Sequence, residues 1–129
     1  MKFTYAILYV DDVEATLKFY ERAFGLKRRL LADEKNYGEL KTGDTRLAFA
    51  ANSFVRKLIP VDFAVGGLGA AVPPFELGIV ADGVVAAFRQ ALEAGASEVK
   101  PPEQKPWGQV VGYVRDLNGY LVEICSEMP

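Results

Sequence analysis

One order of elements runs through this chain twice, and that duplication constrains its fold more than any other feature. In the first half, "FTYAILYV" at 3–10 alternates like a strand. "DDVEATLKFYERAFG" follows with Asp11 or Asp12 as a candidate N-cap and Gly25 as the stop. Val13, Leu17, Tyr20 and Phe24 recur along one helical face. Strands are predicted near 27–34, 36–42 and 45–51, with Gly43-Asp44 turning into the last. In the second half "FELGIVA", 75–81, is again a strand. "DGVVAAFRQALEAG" is again a helix, with Asp82 as candidate cap, Val84, Phe88, Ala91 and Leu92 apolar, and Gly95 as the stop. Strands are predicted near 97–100, 107–115 and 119–126.

Two offsets between the halves compete. Pairing the candidate caps Asp12 and Asp82 sets Leu17 opposite Ala87 and misaligns the helix faces. An offset of 71 pairs Val13 with Val84, Leu17 with Phe88 and Tyr20 with Ala91. The second is preferred, because a buried face tolerates less variation than a cap. It pairs Ala6, Leu8 and Val10 with Leu77, Ile79 and Ala81, all suited to packing under a helix. Side chains alternate along a strand, so Tyr5, Ile7 and Tyr9 pair with Glu76, Gly78 and Val80 on the faces turned away from the helices. The expected organisation is a first module at 1–52, a linker at 53–73 and a second module at 74–129, sharing one structural domain. The glycine-rich linker region, "NSFVRKLIPVDFAVGGLGAAVPP", reads as flexible. Its Gly66-Gly67 lacks the G-x-G-x-x-G or Walker context of a phosphate cradle.

Composition narrows the function. The 129 residues are half hydrophobic and a quarter charged, with a net charge of −2 and no basic patch, which argues against nucleic acid as a partner. The longest apolar run, Phe63 to Pro74, is broken by glycines and too short to span a bilayer, so no membrane is expected. "MKFTYAILYVDDVEA" runs into charged residues with no small-residue cleavage site and does not read as a signal peptide. The one cysteine, Cys125, cannot form an intrachain disulfide, which suits a cytoplasmic setting; it reads as a strand filler. There is no histidine. Ser-His-Asp and Cys-His catalysis are excluded, as are His-based zinc, copper and iron sites.

In "YLVEICS", Tyr120 to Ser126, a carboxylate interrupts an apolar strand. Glu123 either faces water or enters a cavity to do chemistry there. Elsewhere, "DEKNYGELKTGD" at 33–44 reads as a solvated hairpin, "KPPEQKP" at 100–106 as a proline-rich loop, and Arg115-Asp116 as structural residues of the "DLNG" turn. Trp107, between Pro106 and Gly108, reads as the wall of a site.

"ILYVDDVEATLKFYERAFGLK" at 7–27, "GIVADGVVAAFRQALEAGA" at 78–96 and "PWGQVVGYVRDLNGYLVEI" at 106–124 together resemble the vicinal oxygen chelate superfamily. That group includes glyoxalase I, bleomycin-resistance proteins and extradiol dioxygenases. The resemblance implies an α+β fold of two βαβββ modules whose mixed sheets curl into an open cup, and a homodimer. Metal enzymes of this superfamily draw four ligands from the first and last strands of the modules. Here those positions are Tyr5, Ala48, Glu76 and Glu123, of which only Glu123 matches the glyoxalase pattern. No cofactor is therefore expected, and any divalent ion would have to use Glu76 and Glu123.

The resemblance turns Glu123 toward the cup with Leu121 and Cys125, and Tyr120, Val122 and Ile124 toward the helices. Tyr5, Ile7, Tyr9, Ala48, Leu121 and Trp107 become candidate ligand contacts, with Phe3 at the rim. Glu76 and Glu123 become candidate catalytic carboxylates, since like charges sharing a site push one pKa up and yield an acid beside a base. Three functions follow. The leading one is metal-free binding of a small hydrophobic or aromatic molecule. The second is a glyoxalase-like lyase or isomerase built on Glu123 and Glu76, and the third a non-catalytic dimeric module. Extradiol dioxygenase chemistry fails for want of histidine.

Overall fold

A computed structural model describes residues 1–129. The elements run β1 (Tyr5–Val10), α1 (Val13–Phe24), β2 (Arg28–Leu31), β3 (Tyr37–Leu40), β4 (Arg46–Ala51), α2 (Asn52–Leu58), β5 (Glu76–Val80), α3 (Val84–Glu93), β6 (Ser97–Gln104), β7 (Val110–Arg115) and β8 (Leu121–Cys125). They form two four-stranded mixed sheets, ordered β1-β4-β3-β2 and β5-β8-β7-β6. The class is α+β with two βαβββ modules, as the repeat predicts. The chain divides into two compact units, Met1–Glu21 with Gly25–Val65, and Gly66–Pro129 with Arg22–Phe24.

In the first unit Asp12, not Asp11, caps α1. Its Oδ1 accepts from the Ala15 N–H at 3.0 Å, and Gly25 closes the helix in the left-handed conformation at φ 67°. Asp11 instead accepts from the Asn52 side chain at 2.8 Å, which ties α2 to the end of β1. Strand parity puts Leu8, Val10 and Phe49 on one face, buried with Val13, Leu17 and Tyr20 of α1. The Tyr20 and Phe49 rings lie 5.0 Å apart. Gly38 is where the helix touches the sheet: a Cβ there would stand 2.6 Å from Leu17 Cδ1.

The second unit repeats the plan in the predicted register. Val84, Phe88 and Ala91 form the buried face of α3, against Val122 and Ile124 of β8 and Val114 of β7. Gly112 takes the role of Gly38, since a Cβ there would meet Phe88 Cδ2 at 3.0 Å. Asp82 does not cap α3. The N-cap is Gly83, without a side-chain bond, because the helix starts where its buried face starts, at Val84.

Three further expectations are corrected. Residues 52–58, read as the beginning of a flexible stretch, form α2, which buries Asn52 and Val55. Strand β6 continues through Pro101 and Pro102 to Gln104, where a loop was expected. It lies at the sheet edge and its register slips between Lys100 and Glu103, so prolines without an N–H break no essential ladder bond. The stretch at 33–44 is solvated only at its two ends, 33–35 and 41–44: Gly38, Glu39 and Leu40 between them are buried.

The Gly66-Gly67 region is shaped by close backbone approach. A Cβ on Gly66 would lie 2.8 Å from the Asn118 carbonyl, and one on Gly119 would lie 2.5 Å from the Gly67 carbonyl. Gly119 is also left-handed, at φ 86°. Arg115 locks this arrangement. Its Nε donates to the Gly119 carbonyl at 2.9 Å, and Nη2 donates to the carbonyls of Gly67 and Ala70, each at 2.9 Å. Asp116 completes the turn by accepting from the backbone N–H groups of Asn118 and Tyr120, both at 2.9 Å.

Candidate functional site

Parallel pairing of β5 with β8 sets Gly78 beside Glu123 and Glu76 beside Leu121, with Val80 next to Cys125. Antiparallel pairing of β7 with β8 sets Tyr113 on the other flank of Glu123, and β6 adds Lys100 next to Tyr113. Register partners share a face. A transverse row therefore crosses the whole sheet away from α3: Lys100, Tyr113, Glu123, Gly78. Val122 and Ile124, of opposite parity, are fully buried on the helix side.

At the centre of this face the Glu76 carboxyl and the Glu123 carboxyl share a hydrogen bond. That bond raises the Glu76 pKa above its ordinary 4.5, and partial burial and the Glu123 charge push it the same way. Around the pair, two more groups stay protonated. Burial and then a hydrogen bond to Glu123 push the Cys125 thiol up to about 11. Burial and then the Glu123 and Glu76 charges raise the Tyr113 hydroxyl. Beside Glu123, a Cβ on Gly78 would meet nothing within 4 Å, so the absent side chain leaves open space against the carboxyl pair. Such an arrangement offers a ligand carboxyl oxygens and two protonated donors next to open space.

Lys100 also faces this row, but its charge is committed. It pairs with Glu103 at 2.8 Å, and Lys105 contacts the same carboxylate. Those two cations hold Glu103 down at about 2. Trp107 stands in the turn between β6 and β7, where its indole N–H donates to the Gln109 Oε1 at 2.8 Å. Gln109 is anchored in turn on the Ser126 carbonyl at 2.9 Å.

In the first unit, Tyr5, Ile7 and Tyr9 share the open face with Arg46, Ala48 and Ala50, their register partners. Tyr5 is 47% and Ile7 45% exposed. Tyr9 is covered edge-on by Phe63 at 4.9 Å, and Phe63 carries the Arg56 guanidinium 4.7 Å from its ring centroid. Ala48 pairs with Ile7 as Glu123 pairs with Gly78, so the two modules place Ala48 and Glu123 in equivalent slots.

Sequence reading missed Glu39, Tyr113 and Arg46. Glu39 pairs with Ala48 on β3, as Tyr113 pairs with Glu123 on β7. It is only 4% exposed. Arg29 donates to its Oε1 at 2.9 Å and the Tyr37 hydroxyl to its Oε2 at 2.7 Å. The signal was the alternation in "YGEL", where Tyr37 and Glu39 share one face and Gly38 and Leu40 the other. The mixed charge of the surrounding stretch hid it.

No group of three or more His, Cys, Asp or Glu side chains is arranged to hold a metal ion.

A sequence model of the Glyoxalase/Bleomycin resistance protein/Dioxygenase superfamily matches residues 2–124. No curated protein matches the chain. Among solved structures, a glyoxalase-related enzyme from Fulvimarina pelagi superposes with a TM-score of 0.84 at 20% identity, over 96% of this chain and 86% of that one. A glyoxalase/bleomycin resistance protein/dioxygenase family enzyme from Burkholderia phytofirmans PsJN gives 0.79 at 18%, over 98% of both chains. TioX from Micromonospora sp. ML1 gives 0.72 at 22%, again over 98% of both. At these identities the likeness is one of fold, while the sequence match spans all but the ends of the chain. The chain belongs to the Glyoxalase/Bleomycin resistance protein/Dioxygenase superfamily.

Proposed function

We propose that this protein binds a small hydrophobic or aromatic molecule without a metal ion, on the open face of the β5-β8-β7-β6 sheet. The observation that carries this reading is the hydrogen-bonded Glu76–Glu123 pair beside the space left by Gly78. A ligand hydroxyl donates to Glu123 and accepts from the Glu76 carboxyl or the Tyr113 hydroxyl. Its apolar body lies on Leu121 and Val80, which share that face. A few placed polar groups within apolar walls suit small-molecule recognition. Trp107, exposed in the same unit, is proposed as a further aromatic contact. The test is a thermal-shift titration with 1-naphthol, since a ligand that binds the native state raises the melting temperature. The shift is expected to fall sharply in Glu123→Gln; an equal shift in that variant refutes the site.

The closeness of two carboxyls, one with its pKa raised, favours one second reading. Such a pair can abstract a proton next to a carbonyl and return one, the step of a glyoxalase-like lyase or isomerase. Turnover of the glutathione–methylglyoxal hemithioacetal, abolished in Glu123→Gln, supports it; no turnover removes it. We also propose a homodimer. Phe3, Val85 and Val99 are exposed in the single chain, and sedimentation checks whether the chain has twice its monomer mass in solution. No helix is long and apolar enough to cross a membrane. The lone buried thiol of Cys125 suits a reducing, cytoplasmic compartment.

A further inference from the structure

We propose that the open face of the first module's sheet carries an oxyanion grip centred on Arg46, independent of the carboxyl pair in the second module. Two guanidinium groups, Arg29 and Arg46, face one carboxylate, Glu39. Both oxygens of Glu39 already have short partners, Arg29 Nη1 at 2.9 Å on Oε1 and the Tyr37 hydroxyl at 2.7 Å on Oε2. Burial and the bond to Glu39 raise the Tyr37 pKa, so that hydroxyl remains a donor. Arg46 Nε lies 3.8 Å from Glu39 Oε1, which is beyond hydrogen-bond length.

Arg46 is nevertheless held in place. It lies on β4 as the register partner of Tyr5, with its guanidinium carbon 5.9 Å from the Tyr5 ring centroid. Its terminal nitrogens, Nη1 and Nη2, have no protein acceptor, and its side chain is 29% exposed. An arginine fixed by a ring and a distant carboxylate, with its N–H fork free, is preorganised for a planar anion, and a guanidinium fork fits carboxylate or phosphate through two parallel bonds. The class of ligand assigned is a small molecule bearing one such group. An aromatic body beside that group would lie along the exposed Tyr5 and Ile7.

The test compares benzoate, phenyl phosphate and the neutral isostere benzamide by titration calorimetry against the native chain, Arg46→Gln and Arg46→Lys. At least one anion is expected to bind about tenfold or more tightly than benzamide, to lose that advantage in Arg46→Gln, and to keep part of it in Arg46→Lys, because lysine retains the charge without the fork. Which anion binds better distinguishes carboxylate from phosphate. If neither anion outcompetes benzamide, or the preference survives in Arg46→Gln, the grip does not exist. Side-chain nitrogen resonances of the native protein give a second readout that needs no variant. The anion should move Arg46 Nε, and movement of Arg29 alone overturns the assignment. A Glu123→Gln control separates this site from the binding face proposed above, since its loss of 1-naphthol binding should leave benzoate binding unchanged.

Discussion

Gly112 lies directly beneath Phe88. A Cβ on the glycine would stand 3.0 Å from the ring's Cδ2 and 3.1 Å from Pro102 Cγ. Gly38 beneath Leu17 is the same contact in the other module. Glycine at these positions sets how closely each helix approaches its sheet, so both halves depend on the absence of one methyl group.

Gly112→Ala is therefore expected to destabilise the protein by about 1–3 kcal/mol, the usual cost of overpacking a filled core. Gly38→Ala should cost less than its shorter contact suggests, because Leu17 Cδ1 is the end of a rotatable side chain. Denaturant midpoints measure both. Gly112→Ala combined with Phe88→Leu should recover part of the loss, and strict additivity would show that the ring is not the obstacle.

The carboxyl pair predicts a pH dependence of stability. The folded-state pKa of Glu76 is raised, so the native state binds its proton more tightly than the unfolded chain. That contribution is fully present below the ordinary value of 4.5 and is lost as pH rises through the folded value. The melting temperature of the native chain, relative to Glu76→Gln, should fall across that interval. A difference that stays flat there would mean the two carboxyls do not share a proton.

Cys125 should alkylate slowly. With its thiol at about 11 against an ordinary 9.0, the thiolate population is roughly a hundredfold lower than that of an unperturbed thiol at pH 8. Glu123→Gln removes the charge but not the burial, so iodoacetamide labelling followed by mass spectrometry should speed up without reaching the rate of a free thiol. Unchanged labelling would place Glu123 away from the sulfur.

Arg115→Lys should loosen residues 66–70. Lysine keeps the charge but cannot make the separate bonds to Gly67, Ala70 and Gly119 that the guanidinium makes. Amide exchange at Ala70, whose N–H bonds the Gly67 carbonyl at 3.0 Å, is expected to rise by at least about tenfold. The core of β8 should remain protected.

The duplication was legible because buried faces repeat in a fixed register. Val13 and Val84, Leu17 and Phe88, and Tyr20 and Ala91 are paired by sequence and buried in the structure. Strand parity was legible for the same reason and put Glu76 and Glu123 on one face. Helix α2 was not, since two buried residues in seven make no periodic stripe. The continuation of β6 was hidden because prolines usually end strands and edge position cannot be read locally. Glu39 was hidden because a buried ion pair and a solvated one have the same composition. What distinguishes them is the partner, and Arg46 is brought to Glu39 only by the folding of β4 against β3.

Pro101 and Pro102 have a consequence for assembly. Strand β6 is the outer member of its sheet, and an outer strand normally offers unpaired amides on which another chain can grow. Two successive residues without an N–H, placed where the ladder already slips, deny that template to a neighbouring molecule. Copies of this protein that meet along β6 will find no continuous edge to extend, which disfavours fibre-like stacking from that side.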